Sequence, residues 1–161
     1  MDVSAFIHAT EDPEKVVAAC RRVLPAAYAD ATLFERQHLL GHYRNPITLL
    51  RTQITQRPAV MALLDHLADA LSEGDKTQLA VDVARRLDDR GALYLRLDKQ
   101  DAFRSQLTLG HRDSIRLTLK LTRSRKRVED AVAVYRALGL LGSGRGDMFH
   151  DPTAEKTVHR V

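Results

Sequence analysis

The sequence predicts an α+β domain: a single mixed sheet with helices packed mainly on one face. Two observations predict it. Short runs with two-residue apolar alternation recur along the chain, as half-buried strands require. Between them lie longer segments whose apolar residues recur at helical spacing. The resulting order, β-α-β-β-α-α-β-β-β-α, argues for one sheet covered by helices on one side and open on the other.

Each element has its own signal. Val3 to Ala9 alternates as a first strand, and Thr10-Glu-Asp-Pro-Glu14 supplies a polar cap, a first-turn proline and acids to start a helix over Pro13 to Val23. Thr32 to Leu40 is a second strand. Gly41-His-Tyr-Arg-Asn-Pro46 is a turn, and the Ile and Thr content of Ile47 to Thr55 makes it the hairpin partner. Helical stripes follow over Ala59 to Leu71 (Val60, Leu63, Leu64, Leu67, Leu71) and Asp75 to Leu87 (Leu79, Val83, Leu87). Leu93, Leu95 and Leu97 alternate with Tyr94, Arg96 and Asp98 in a fourth strand. A short crossing around Lys99 to Arg104 leads to a fifth strand, Ser105 to Leu109, and Gly110-His-Arg-Asp113 turns into a sixth over Asp113 to Thr122. Ser124 then reads as the N-cap of a helix from Arg125 to Leu140, with Val128, Ala131, Val132, Tyr135 and Leu138 on one stripe. From Gly142 to Val161 there is no periodicity, so residues 1–141 are expected to form one domain and 142–161 a mobile tail.

The charge is concentrated. Between Arg112 and Arg127, seven residues are Arg or Lys and only Asp113 is acidic, a net +6 in a chain whose total is +4. In the sixth strand Ile115, Leu117, Leu119 and Leu121 face one side while Arg116, Thr118, Lys120 and Thr122 face the other. Arg123, Arg125, Lys126 and Arg127 extend the strip into a helix start, where the backbone dipole favours acids. That departure from helix chemistry, beside free N–H groups, points to phosphate oxygens as the ligand. The competing reading is a charge run that protects an edge strand from aggregation.

Composition narrows the classes. The chain has 161 residues, 44% of them hydrophobic, enough for a sizeable core. A pI near 9.5 suits a polyanionic partner. The single cysteine, Cys20, fits packing in a reducing cytosol. The acidic, polar N-terminus and the lack of an 18-residue apolar run predict a soluble, untargeted protein.

Four segments carry a resemblance: Ile7-His-Ala-Thr-Glu-Asp-Pro-Glu-Lys-Val16, Leu40-Gly-His-Tyr-Arg-Asn-Pro-Ile47, Leu93-Tyr-Leu-Arg-Leu-Asp-Lys-Gln-Asp-Ala102 and Asp113-Ser-Ile-Arg-Leu-Thr-Leu-Lys-Leu121. In order and spacing they resemble an archaeal RNA-binding protein family regarded as a predicted exosome subunit. The resemblance implies a ribosomal protein L5-like fold, a cytoplasmic location and RNA as partner. One departure stands out: the family pattern often has glycine where this chain has Arg44, and a left-handed turn there would strain arginine.

Other constellations compete with this reading. His38, His42, Tyr43 and Arg44 gather an aromatic ring and donors suited to single-stranded RNA, or to simple turn chemistry. Tyr94, Arg96 and Lys99 would stack a base and hold phosphates if their sheet face is open; if it is covered, Arg96 and Asp98 form an ordinary surface pair. Aromatics are only 5% of the chain, which favours binding through backbone phosphates. Seven histidines invite a metal, yet one cysteine and no helical His-Glu motif argue against a zinc site. Glu11, Asp12 and Glu14, the densest acidic group, are better explained as helix capping than as a two-metal cluster. No phosphate-cradling Gly-rich loop or nucleophile elbow occurs.

The expectation is therefore a non-enzymatic RNA-binding module without cofactor or metal. Arg112, Arg116, Lys120, Arg123, Arg125, Lys126 and Arg127 would meet RNA, with Arg96, Lys99, Tyr43 and Arg44 secondary. The resemblance alone implies exosome or other RNA-processing subunits as protein partners, and no membrane is expected. A protein–protein adaptor whose basic strip meets an acidic surface is the alternative, and a metal-dependent nuclease a further one.

Overall fold

The computed structural model describes residues 1–121 and 128–142. Its elements are β1 (Asp2–His8), α1 (Pro13–Arg22), α2 (Ala26–Ala29), β2 (Glu35–Leu40), β3 (Pro46–Gln53), α3 (Arg57–Ala70), α4 (Glu73–Arg86), β4 (Leu93–Asp98), α5 (Lys99–Phe103), β5 (Ser114–Leu119) and α6 (Val128–Ala137). Five strands form one sheet in the order β2-β3-β1-β5-β4.

All four pairings are antiparallel, so the single sheet of the expected α+β fold is not mixed. The β2–β3 hairpin closes at Gly41, whose N–H donates to the Asn45 carbonyl at 2.8 Å. The expected fifth strand, Ser105 to Leu109, does not form. Ser105 takes a left-handed φ of 65° just past the end of α5, where its N–H bonds the Ala102 carbonyl. Only Leu109 then reaches the sheet, as a single bridge to Leu97. Two short helices lie outside the sequence expectation. Pro25 precedes the short α2, and Asp98 caps α5 by accepting from the Asp101 N–H at 2.9 Å, the role its Asp-x-x-Asp spacing permits.

Alternation decides which face is buried. Val3, Ala5, Ile7, Leu50, Leu93, Leu95, Leu97, Ile115, Leu117 and Leu119 join one core with Val16, Cys20, Leu63, Leu67 and Leu79 of the helices. Cys20 packs in that core, and burial pushes its thiol up to about 12, so it stays an apolar, protonated group. From α6, Ala131 and Tyr135 complete the layer. The single Tyr135 hydroxyl proton is shared between the carbonyls of Leu119 (2.8 Å) and Gly91 (2.9 Å), tying α6 to the end of β5. Burial holds that phenol up at about 12, so it remains a donor.

The β4 edge is closed by chain segments at both ends: Leu87 bridges Leu93, and the Gly110 N–H donates to the Arg96 carbonyl at 2.8 Å. A Cβ on Gly110 would lie 2.7 Å from the Asp98 nitrogen, so only glycine permits this approach. At the other edge, all six residues of β2 are exposed. Gly142, expected to open a tail, donates its N–H to the Lys76 carbonyl at 3.0 Å; the remaining expected tail, 143–161, lies outside the described residues.

Candidate nucleic-acid interface

Among the described residues no element covers the sheet face opposite the core, and strand register dictates what it presents. Cα partners across a ladder share a face. Ser4 lies opposite both Arg51 of β3 and Arg116 of β5, and Arg116 lies opposite Arg96 of β4. One row across four adjacent strands therefore reads Arg51, Ser4, Arg116, Arg96. The next row reads Gln53, Asp2, Thr118, Tyr94. Lys120 follows just beyond the end of β5 and is exposed.

Arg96 and Arg116 are directly opposed like charges, a pairing that costs a few tenths of a kcal/mol to about 1 kcal/mol in a sheet. Neither makes an ion pair with a carboxylate among the described residues. The Arg116 guanidinium instead lies 5.1 Å from the centroid of the Phe6 ring, and Arg96 donates to the His111 carbonyl at 3.2 Å. Both are exposed, and both are oriented by neutral partners that leave their charge unspent.

Arg51 and Lys120 share one acid. Lys120 reaches Asp2 Oδ2 at 2.6 Å, and Arg51 lies 3.6 Å from Asp2 Oδ1. Burial alone would raise the Asp2 carboxyl, but the Lys120 hydrogen bond and charge, with the N-terminal ammonium and Arg51, hold it below its ordinary 3.8. A depressed folded-state pKa gives stability that is present above the ordinary value and is lost as pH falls through the folded one. Asp2→Asn is therefore expected to destabilise the protein at pH 7, with the gap to wild type closing below about pH 4. It also releases two cations, so RNA affinity should rise a few-fold; urea melts at pH 7 and pH 2.5 with an anisotropy titration check both.

Lys99 is not on this surface, which corrects the sequence expectation. Its side chain is only 5% exposed, and its ammonium contacts the Phe6 carbonyl at 2.8 Å, Glu11 at 2.8 Å and Asp113 at 2.5 Å. Lys99 has the parity of Leu93, Leu95 and Leu97, so the alternation that aims Tyr94 and Arg96 outward already places it on the core side, at the start of α5. His8 joins the same group, 3.7 Å from Asp113. Ligand atoms of His8, Glu11 and Asp113 lie within 4.8 Å of one another, as a metal site would need, but the Lys99 ammonium already sits against both acids and supplies the positive charge. As the sequence suggested for the acids of this loop, Asp12 caps α1 by accepting from the Glu14 N–H at 2.9 Å.

The remaining expected residues divide. Arg112 is exposed in the bend before β5. Tyr43 is 88% exposed at the β2–β3 turn with its ring edge-on to His42, and Arg44 beside it has φ 58°. The left-handed conformation that suits glycine is thus adopted by arginine, with its cost accepted. Arg123, Arg125, Lys126 and Arg127 lie outside the described residues, as does the cap assigned to Ser124. Two contributors to the face escaped sequence reading: Arg51, which looked like an ordinary hairpin residue, and Phe6, whose partner Arg116 is distant in sequence. Only the strand order β3-β1-β5 brings them together.

Fold and surface together define an α+β domain of one antiparallel sheet, in which helices cover one face and the other displays a row of guanidinium groups. The chain belongs to the RNA-binding family, whose model matches residues 1–121. It is similar to an RNA-binding protein of Pyrococcus abyssi, 30% identical over 114 residues that cover 70% of this chain and 74% of the relative. Two solved structures described as DUF54 proteins share the fold. One, from Archaeoglobus fulgidus, is 28% identical with a TM-score of 0.74, covering 85% of this chain and 96% of its own. The other, from Methanothermobacter thermautotrophicus, is 32% identical with a TM-score of 0.70, covering 85% and 94%. Among the described residues, no helix is long and apolar enough to cross a membrane.

Proposed function

We propose that this protein binds RNA through the phosphate backbone on the open sheet face, without catalysing a reaction, as an accessory to RNA processing or degradation in the cytoplasm. The observation that carries the proposal is the Arg96–Arg116 pair: two exposed like charges held directly opposite each other with no acid among the described residues to neutralise them. A polyphosphate chain relieves that repulsion and releases counterions as it binds. Arg112, Arg51 and Lys120 extend the patch, and Arg123, Arg125, Lys126 and Arg127 follow Lys120 in the chain. Association with exosome subunits and kinship with the L5-like fold rest on the sequence resemblance and belong to the same reading.

The test is RNA affinity as a function of salt. Each single-strand phosphate neutralised contributes about −0.7 to the log–log slope, so three to five contacts predict a slope of roughly −2 to −3.5. A slope near zero rejects phosphate-dominated binding. Labelled RNA incubated with the protein and Mg²⁺ or Mn²⁺ should remain intact, and specific cleavage would replace the non-catalytic reading with a nuclease. The adaptor reading is favoured by one observation, the fully exposed β2 at a sheet edge with no strand beyond it among the described residues. Copurification with processing subunits that survives ribonuclease treatment would support it.

A further inference from the structure

We propose that the open face selects single-stranded RNA, stacking bases at two stations: the Tyr94 ring and the Arg116 guanidinium seated on Phe6. This deepens the RNA-binding reading of the same face and rests on it.

Three features carry the inference. Tyr94 is 47% exposed at the face, and its hydroxyl donates to Asp88 Oδ2 at 3.2 Å, which fixes the far end of the ring. A fixed aromatic ring loses little freedom when a base stacks on it. Cations also bracket it. Arg96 lies two residues away on β4, Arg116 two residues from its partner Thr118 on β5, and Lys120 two residues beyond Thr118 on the other side. At about 3.4 Å per residue, these flanking charges stand roughly 7 Å from the stacking row, suited to phosphates on either side of a stacked base. The second station is the Arg116–Phe6 stack, where an aromatic ring backs a planar guanidinium that can itself support a base.

Size argues against duplex. Five strands at about 4.8 Å span roughly 20 Å, whereas shape-specific duplex readers bridge successive minor grooves over about 16 base pairs. Duplex bases are already stacked on each other and can use neither station without unpairing. A short unpaired segment, on the order of four nucleotides, fits the surface.

The experiment compares a 12-nucleotide unstructured RNA with a 16-base-pair RNA duplex by fluorescence anisotropy at one salt concentration. Single-stranded RNA should bind at least tenfold more tightly. Tyr94→Leu should weaken single-strand binding about tenfold with no change in salt slope, because it removes a stack and no charge. Tyr94→Phe should keep at least half the affinity. Arg116→Lys, which keeps the charge and loses the plane, should cost several-fold, again at unchanged slope. Equal or tighter duplex binding, or a Tyr94→Leu variant that binds like wild type, overturns the single-strand proposal and leaves phosphate binding intact. Failure of wild type to bind either RNA overturns both.

Discussion

Replacing Arg96 and Arg116 together with glutamine is expected to weaken RNA binding on the order of a hundredfold while leaving the fold as stable as before. A charge-assisted hydrogen bond to phosphate contributes about 1.5–3 kcal/mol, so two such contacts reach that magnitude even after some re-formation elsewhere on the patch. The salt slope should become shallower by about 1.4, the contribution of two single-strand phosphates. Stability responds differently. The pair is a like-charge apposition whose removal is mildly favourable, and the loss of the Arg116 contact with Phe6 offsets that gain by about 0.5–1 kcal/mol. Glutamine keeps much of the aliphatic stem, so the unfolding midpoint should stay within about 0.5 kcal/mol of wild type. The opposite pattern, with affinity retained and stability lost, would mean the two arginines serve the sheet rather than a ligand.

Lys99→Met is expected to reverse those readouts. Removing one member of a buried ion-pair group strands the others, which costs about 3–5 kcal/mol. Here the Asp113 side chain is 44% exposed and regains water, which places the loss near the lower limit, about 3 kcal/mol. For a chain of this size that lowers Tm by roughly 6–12 °C. The Phe6 carbonyl, Glu11 and Asp113 come from the β1 strand, the loop before α1 and the bend before β5, so the single ammonium fastens three segments. RNA affinity of the folded variant, measured well below its Tm, should match wild type within about twofold. An unchanged Tm with weakened RNA binding would restore Lys99 to the interface.

These two variants separate residues that look alike in sequence. Arg96 and Lys99 are three positions apart, both basic and both near the end of an alternating strand. Periodicity predicts the outward direction of Arg96 correctly, because the strand continues through it. Continued one residue past the strand, the same parity sets Lys99 with Leu95 and Leu97 on the core side, so grouping it with Arg96 by charge misplaces it; Asp98 ends the strand there by capping a helical turn. The same local competition explains the absent strand over Ser105 to Leu109. Its apolar residues suggested alternation, but the left-handed Ser105 completing the end of α5 and the close approach of Gly110 to β4 leave room for one bridge.

The sequence by itself determined the α+β class, the β2–β3 hairpin, the helices α1, α3, α4 and α6, and the outward direction of Arg116 and Lys120. Each depends on neighbours within a few residues: alternation, caps, turn chemistry and apolar stripes. Tertiary structure alone decided which charges remain available. Strand order placed Arg51 and Arg116 in one row, set Arg116 over Phe6, gave Lys120 and Arg51 a shared acid in Asp2, and enclosed Lys99 between Glu11 and Asp113. The reason is physical: direction is set by local backbone geometry, whereas the free charge of a cation depends on carboxylates and rings brought within a few ångströms by pairings between residues more than a hundred positions apart, as Lys120 and Asp2 are.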